Sequence, residues 1–430
     1  MEANRCAAKT WLRVLKALEA ASIEGRVAAR AWRSCTVYRR LDPPKGGGTR
    51  AGHSARLALA LTVVFACDAS MRAIASVLLL LLSGHLVAQR KTENVLLVTL
   101  DGLRWQDVFT GADNRMMNKP DGGVKEIRQL RKDFYRGDAE ARRALLMPFL
   151  WEVVAKQGQI FGDPSRRARA VLTNPHKFSY PGYSELLTGV VDERIKSNNK
   201  LPNPNVTVLE FLHGLPGYGG QVAAFSGWDV HEFILNEQRS GIFCEVAWDP
   251  ATVARTPARL AALNRSARAL PHYWGEWFCF DVVTYARARE YVLSETPRVL
   301  YLALGETDEW AHARRYDMYL QMARRNDEMV RDLWETMQGI EQYRGKTSLV
   351  LTVDHGRGRS ERDWTDHGAE VEGAEEVWMA VMGPDTPPLG VREGVQAKQA
   401  MVAATVAALL GEDLASVTPA AAGVLPGVLR

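Results

Sequence analysis

The sequence predicts an α/β fold, a mostly parallel central sheet with helices on both faces. Three observations carry that expectation. Short apolar runs at 94–100, 298–304 and 347–353 are almost continuously hydrophobic and too short for helices, which is how strands buried on both faces read. Stretches of helical period lie between and after them; the clearest is 316–338, where Tyr316, Tyr319, Leu320, Ala323, Met329, Leu333 and Met337 recur on one face. No hairpin signal joins the runs, and strand-then-helix order without hairpins implies parallel pairing through crossovers.

The chain has 430 residues, 47% of them hydrophobic, enough for the core of one large domain or two ordinary ones. Its net charge of +4 hides an asymmetry. Residues 1–88 hold 13 Lys and Arg against 5 Asp and Glu, and the remainder holds 41 against 45. The body is therefore mildly acidic, and no nucleic-acid-binding surface is expected.

The front of the chain has its own reading. Met71-Arg72, the apolar run 74–82 and Leu86-Val87-Ala88 before Gln89 have the layout of a secretory signal. That apolar core falls short of the roughly 20 residues a spanning helix needs. Residues 1–70 are then an upstream extension, 71–88 a signal peptide, and 89–430 an exported catalytic domain, periplasmic or secreted, with no stable membrane span once the signal is gone. The competing reading is a genuine basic N-terminal region whose segment 57–67 ends in a faint lipoprotein-like Val-Phe-Ala-Cys. Cys6, Cys35 and Cys67 belong to this front. Cys244 and Cys279 would remain after export, to pair or to stay as two buried thiols, and their spacing is unlike a zinc knuckle. Oligomeric state is not legible.

Taken in order, the run 94–100 carries the chain into Asp101-Gly102. In an open α/β sheet ligands bind at the carboxyl ends of strands, although an isolated Asp there could equally cap a turn. Residues 103–165 read as polar and helical, with charge runs that are solvated faces. Ala168–Thr173 is a short strand. In FSYPGYSELLTG, residues 178–189, Pro181 suits a first helical turn and Gly189 its end, so Ser179 lies at or just before a helix N-terminus. Backbone N–H groups and the helix dipole favour an anion at such a point. The stretch 192–290 is the least patterned and is expected as a substrate-side insertion; its Trp228, Trp248, Trp274 and Trp277 are either substrate walls or core. Within it, Gln221–Phe225 reads as a strand and Phe280–Leu293 as a helix. The run 298–304 leads into GETDEWAH, where Asp308 and His312, four apart, share one face if a helix begins after Gly305. The run 347–353 ends on Asp354-His355. His367, a strand at Val377–Met382 and a helix near 400–410 complete the pattern.

Three Asp and three His thus gather near the strand ends of one sheet, beside Ser179. Burying that many ionisable groups is unfavourable unless they pair or hold metal. Mixed imidazole and carboxylate donors suit Zn²⁺ better than Mg²⁺ or Ca²⁺, and there are enough for two divalent ions. Two ions about 4 Å apart suit in-line displacement at phosphorus.

The order Asp, nucleophile, Asp-x3-His, Asp-His, His over 94–410 resembles the alkaline phosphatase superfamily, and most of all its type I phosphodiesterase and nucleotide pyrophosphatase branch. The resemblance implies an alkaline-phosphatase-like α/β/α sandwich. It also implies one metal on Asp308, His312 and His367, a second on Asp101, Asp354 and His355, and Ser179 as both nucleophile and ligand of the second. In that branch the nucleophile is usually Thr before aromatic-Pro-Asn; here the motif is Ser179-Tyr180-Pro181-Gly182. An Asn about 20 residues on usually holds a phosphate oxygen, a role open to Asn198 or Asn199. The Glu of a third, Mg²⁺ site is replaced by Ala303, and the Arg of the sulfatase motif C/S-x-P-x-R is replaced by Tyr183. The implied activity is hydrolysis of a small-molecule phosphodiester or phosphomonoester through a phosphoseryl intermediate. A phosphonate hydrolase, a phosphotransferase or a non-catalytic metal-binding scaffold are the alternatives.

Overall fold

Strand β1 (Asn94–Leu100) is buried along its whole length, and its two neighbours explain why. The computed structural model describes residues 90–430, so the expected extension 1–70 and signal peptide 71–88 lie outside the described residues. β1 pairs in parallel with β6 (Val299–Leu304) on one side and with β7 (Thr347–Thr352) on the other. Thr99 lies level with both Ala303 and Thr352, so the three chains leave the sheet together. Asp101, Gly305 and Asp354 come next at that edge.

The central sheet has eight strands in the order β10-β2-β9-β7-β1-β6-β4-β5. β4 (Val222–Ser226) and β5 (Phe243–Val246) extend it in parallel beyond β6. Both come from the stretch expected as a substrate-side insertion; β4 is the strand expected at Gln221–Phe225, and β5 was not expected. On the other side β9 (Met379–Met382) runs antiparallel to β7 and to β2 (Gly158–Phe161), and β10 (Gly390–Val391) runs parallel to β2. The sheet is therefore mostly parallel, with one reversed strand.

The reading of 103–165 as helical is corrected at β2. GQIF is four residues without alternation or a β-branched run, so only its pairing with β9 makes it a strand. A second, three-stranded sheet holds β3 (Arg169–Val171), β8 (Glu376–Val377) and β11 (Gln396–Lys398). The strand expected at 168–173 lies there, and the one expected at 377–382 divides at Trp378. That indole is fully buried and donates to the Leu103 carbonyl at 3.0 Å, which turns the chain from one sheet into the other.

Helix α1 (Ser179–Thr188) packs on α5 (Met401–Leu409), and α2 (Asp281–Glu295) packs on α4 (Tyr316–Gly339); each pair covers one face of the central sheet. Between α2 and α4 in sequence, the short α3 (Glu306–His312) comes after β6. No described helix is long and apolar enough to cross a membrane. Cys244 and Cys279 are both free thiols.

A buried polar ladder ties three strands together beneath the carboxyl edge. Thr99 Oγ1 lies 3.1 Å from the Tyr301 hydroxyl, which lies 3.2 Å from His231 Nε2, and His231 Nδ1 lies 2.8 Å from Ser226 Oγ. Burial disfavours the imidazolium and pushes the His231 pKa down to about 4, despite the attraction of Asp101. Between pH 6.5 and 4 the unfolded chain therefore takes up a proton that the folded one refuses. Stability should be fully present above pH 6.5 and fall by up to about 3 kcal/mol as pH drops through that window. Denaturant titrations at about pH 7 and about pH 4.5, either side of most of that window, check this: His231→Gln should flatten the fall, and equal falls in both proteins would contradict it.

Candidate metal centre

Each strand of the β7-β1-β6 trio delivers part of the site, and each carboxylate has one oxygen engaged by the protein. Asp101 Oδ2 accepts from the Tyr183 hydroxyl at 2.9 Å, while Oδ1 is buried with no hydrogen-bond partner. Asp354 Oδ1 accepts from Gly102 N–H at 3.1 Å, while Oδ2 is likewise unpartnered. His355 Nδ1 is 2.9 Å from the Gly356 carbonyl, an arrangement in which Nδ1–H donates to that oxygen and Nε2 is the ring nitrogen that faces the site. That Nε2 lies 3.4 Å from Asp101 Oδ1 and 3.4 Å from Asp354 Oδ2. Two unpartnered carboxylate oxygens and one imidazole nitrogen therefore meet at one point.

The second group sits beside it. α3 begins directly after Gly305, so Asp308 and His312 are one turn apart and their Oδ2 and Nε2 atoms lie 3.1 Å apart. His367, from the loop after β7, brings its Nε2 within 3.0 Å of His312 Nε2. Asp308, His312 and His367 form one set with metal-ligand spacing, and Asp101, Asp354 and His355 form another.

The electrostatics say what these sets lack. Burial, reinforced by the charge of Asp101, pushes the Asp354 carboxyl well above the usual carboxylate range. Burial also opposes charge on Asp101, but His355 and Tyr183 hold its pKa low. Burial works against the His355 imidazolium too, yet Asp354 and Asp101 outweigh it and push the pKa up to about 9. This buried group draws a proton onto a histidine because it needs positive charge. Burial, and then the neighbouring His355 charge, push His312 and His367 below the usual histidine range, so both are neutral imidazoles, the form that binds metal. Unpartnered buried oxygens, oriented imidazole lone pairs and a mixed N/O donor set all fit divalent ions.

Ser179 is the first residue of α1 and lies 3.4 Å, Oγ to Nε2, from His355. Two devices hold it there. The buried Glu185, on the same helix, accepts from the backbone N–H groups of Thr173 and Asn174 at 2.8–2.9 Å, tying down the loop that leads into Ser179. Gly182 lets the helix rest on β7, because a Cβ there would fall 2.3 Å from the Asp354 carbonyl oxygen. Gln399 bridges the same two backbones through its Nε2, which donates to the carbonyls of Gly182 and Asp354.

Two of the residues considered for substrate diverge in placement. Asn198 lines a cavity of about 340 Å³ together with Ser179, Asp101, Asp308, His312 and His367. Asn199 lines a neighbouring cavity with Tyr180 and Arg194. Of the four Trp, Trp228 and Trp277 wall the first cavity, whereas Trp274 packs among Phe278, Phe280 and Trp310, and Trp248 stacks on His272.

Arg357 was not singled out by its sequence context, although a cation two residues beyond Asp354-His355 is a visible signal. Fully buried, it donates to the Asp308 carboxylate and to the carbonyls of Gly102 and Thr365. It thereby joins the end of β1, helix α3 and the loop carrying His367. Gly102 has φ +59°, and a Cβ there would lie 2.7 Å from Asp308 Oδ1 and 2.8 Å from Arg357 Nε. Arg357→Met should weaken divalent-metal affinity about 10- to 100-fold, with Arg357→Lys recovering only part because it lacks the planar fork. Chelator-competition titration checks this, and wild-type affinity in Arg357→Met would remove the residue from the site.

No family model matches the chain, and no curated protein matches it. Solved structures do. A candidate sulfatase from Bacteroides thetaiotaomicron VPI-5482 superimposes with a TM-score of 0.52 and 14% identity over 78% of this chain and 74% of its own. A phosphonate monoester hydrolase from Silicibacter pomeroyi gives 0.47 and 13% over 79% and 78%. A protein in the alkaline phosphatase superfamily from Vibrio parahaemolyticus gives 0.43 and 13% over 76% and 68%. At these identities the likeness is one of fold.

Proposed function

We propose that the chain is an exported, two-metal hydrolase of phosphoric esters with Ser179 as nucleophile, a reading that its likeness of fold to the candidate sulfatase supports. The observation that carries this reading is the meeting of Asp101 Oδ1, Asp354 Oδ2 and His355 Nε2 beside Ser179 Oγ at the start of α1. Asp101, Asp354 and His355 would hold one ion, and Asp308, His312 and His367 the other. Two divalent ions, Zn²⁺ by the donor set, would supply Lewis acidity there and would offset the negative charge that develops in the reaction.

The chain's own residues do the rest. The N-terminus of α1 favours an ionised Ser179 Oγ. That oxygen attacks phosphorus, the P–O bond to the leaving alcohol breaks, and the serine proton ends on the alcohol. Water then attacks the phosphoseryl phosphorus, restores the serine hydroxyl and releases the phosphate half of the ester. Tyr180 N–H donates to Asn198 Oδ1 at 2.9 Å, which leaves the Asn198 Nδ2–H group to donate to a non-bridging oxygen.

The charge of the lining supports a monoanionic substrate. Asp101, Asp308 and Glu309 line the cavity and no Lys or Arg does. A phosphodiester, with one negative charge, suits that lining better than a phosphomonoester dianion, which a guanidinium or ammonium would ordinarily balance. A sulfate ester is the second reading. It too is monoanionic, and Ser179-Tyr180-Pro181 matches the start of the sulfatase motif. Against it stands Tyr183 in the Arg position, where its hydroxyl is committed to Asp101.

The purified protein should hydrolyse bis-p-nitrophenyl phosphate faster than p-nitrophenyl phosphate, leave p-nitrophenyl sulfate intact, and lose activity to EDTA with recovery on adding Zn²⁺. Ser179→Ala should lower kcat by about 10³-fold or more. Faster cleavage of the sulfate would reverse the two readings, and full activity in Ser179→Ala or after complete chelation would sink both. Export is tested separately by mass spectrometry of the protein's N-terminus, with a start at Gln89 expected.

A further inference from the structure

The helix Pro257–Ala269 lies on the outside of the fold and buries none of its residues. Its inner face, half-buried at Leu260, Leu263, Asn264 and Ala267, is held by polar contacts. The Asn264 amide exchanges hydrogen bonds with the Ala251 backbone at 2.8 and 2.9 Å, and Arg259 pairs with Glu290 of α2 at 2.5 Å. The outer face is different. Arg265 and Arg268 stand exposed there among alanines, and with Arg255 just before the helix they have no ion-pair partner among the described residues. Residues 250–275 hold four Arg and no Asp, Glu or Lys, in a body where acidic residues outnumber basic ones. A concentrated positive surface on an otherwise acidic protein selects an anionic partner at that place.

Apolar side chains continue the same surface. Of the twelve large hydrophobic residues exposed among the described residues, four fall between 270 and 282: Leu270, Tyr273, Trp277 and Val282, 36% to 60% exposed. Such clustering marks an interaction site, whereas scattered exposed hydrophobics do not. The turn that carries them is fixed from behind. Trp274 packs between Phe278 (5.2 Å) and Trp310 of α3 (5.1 Å), and Trp248 stacks on His272 and donates to the Gly275 carbonyl at 3.0 Å. Glu276, the single carboxylate between 250 and 280, lies against His272 Nδ1 at 2.7 Å. A soluble polyanion would engage the arginines and leave Leu270 and Val282 in water. A bilayer surface serves every member of the patch: lipid phosphates meet Arg, the interface suits Tyr and Trp, and the hydrocarbon below accepts Leu and Val.

We propose that the helix Pro257–Ala269 and the turn 270–282 form a docking surface for an anionic lipid bilayer. Trp277 also lines the cavity that Ser179 lines, so docking brings the mouth of that cavity to the headgroup layer. Docking needs no ester cleavage, and binding alone tests it. The full chain is sedimented with vesicles of phosphatidylcholine and phosphatidylglycerol at roughly three to one, and with vesicles of phosphatidylcholine only. Binding should require the anionic lipid and weaken as salt is raised. The triple variant Arg255→Gln, Arg265→Gln, Arg268→Gln should bind about 100-fold more weakly, roughly fivefold for each cation lost, with an unchanged Tm because all three side chains are exposed. Leu270→Gln combined with Val282→Gln should also weaken vesicle binding, yet leave binding to soluble dextran sulfate as it was. Lipids brominated near the headgroup should quench Trp277 in the bound protein; the quenching lost in Trp277→Phe belongs to that residue, whatever residues before 90 contribute. Equal vesicle binding with and without the three arginines, or quenching that Trp277→Phe leaves unchanged, overturns the docking surface. Binding to dextran sulfate without binding to anionic vesicles overturns it in favour of an anionic polysaccharide.

Discussion

The crowding of three buried carboxyl groups at the carboxyl edge of β7-β1-β6 is the constraint around which the rest of the site is built. Asp101 and Asp354 end adjacent parallel strands in register, and α3 hangs Asp308 from the third. A sheet buried on both faces gives these groups little water, so each carboxylate must find donors or a cation. The protein supplies only half of what they need. Tyr183, Gly102 N–H and Arg357 each satisfy one oxygen of a carboxylate. The unpartnered oxygens that remain converge, the arrangement that a divalent cation held there would require.

The same economy extends outward. Gly102 and Gly182 are small because other atoms occupy the space a side chain would take: Asp308 and Arg357 at the first, the Asp354 carbonyl at the second. At Gly182 it is the closeness of α1 to the end of β7 that leaves no room for a side chain. Glu185 and Gln399 fasten that helix and the loop before it, so Ser179 is placed by contacts on three sides. The aromatic wall is anchored through Trp274 and Trp310 to α3, the helix that carries Asp308 and His312.

The features legible from residues alone were local. Each buried strand announces itself as an apolar run, and the residues directly after the run, Asp101 or Asp354-His355, are then placed at a sheet edge without further information. Asp308 and His312 were equally legible, because a spacing of four on one helix fixes a shared face. Ser179 was legible through Pro181 and Gly189, which bracket its helix. The strands that escaped notice, GQIF at 158–161, FCEV at 243–246 and the shorter β10 and β11, have two to four residues each and owe their conformation to pairing with distant partners.

By itself, then, the sequence determined the sheet class, the main central strands, the helix that begins at Ser179 and the residues that could form two ligand sets, since each depends on periodicity or on neighbours a few positions away. Only the tertiary structure decided which oxygens are left free, that Asn198 rather than Asn199 faces the cavity with Ser179, that Arg357 joins three segments, and that Trp228 and Trp277 wall that cavity. Those facts depend on contacts between residues far apart in the chain. Sheet register, helix packing and the close approaches allowed by Gly102 and Gly182 set them, and none of these leaves a periodic trace in the sequence.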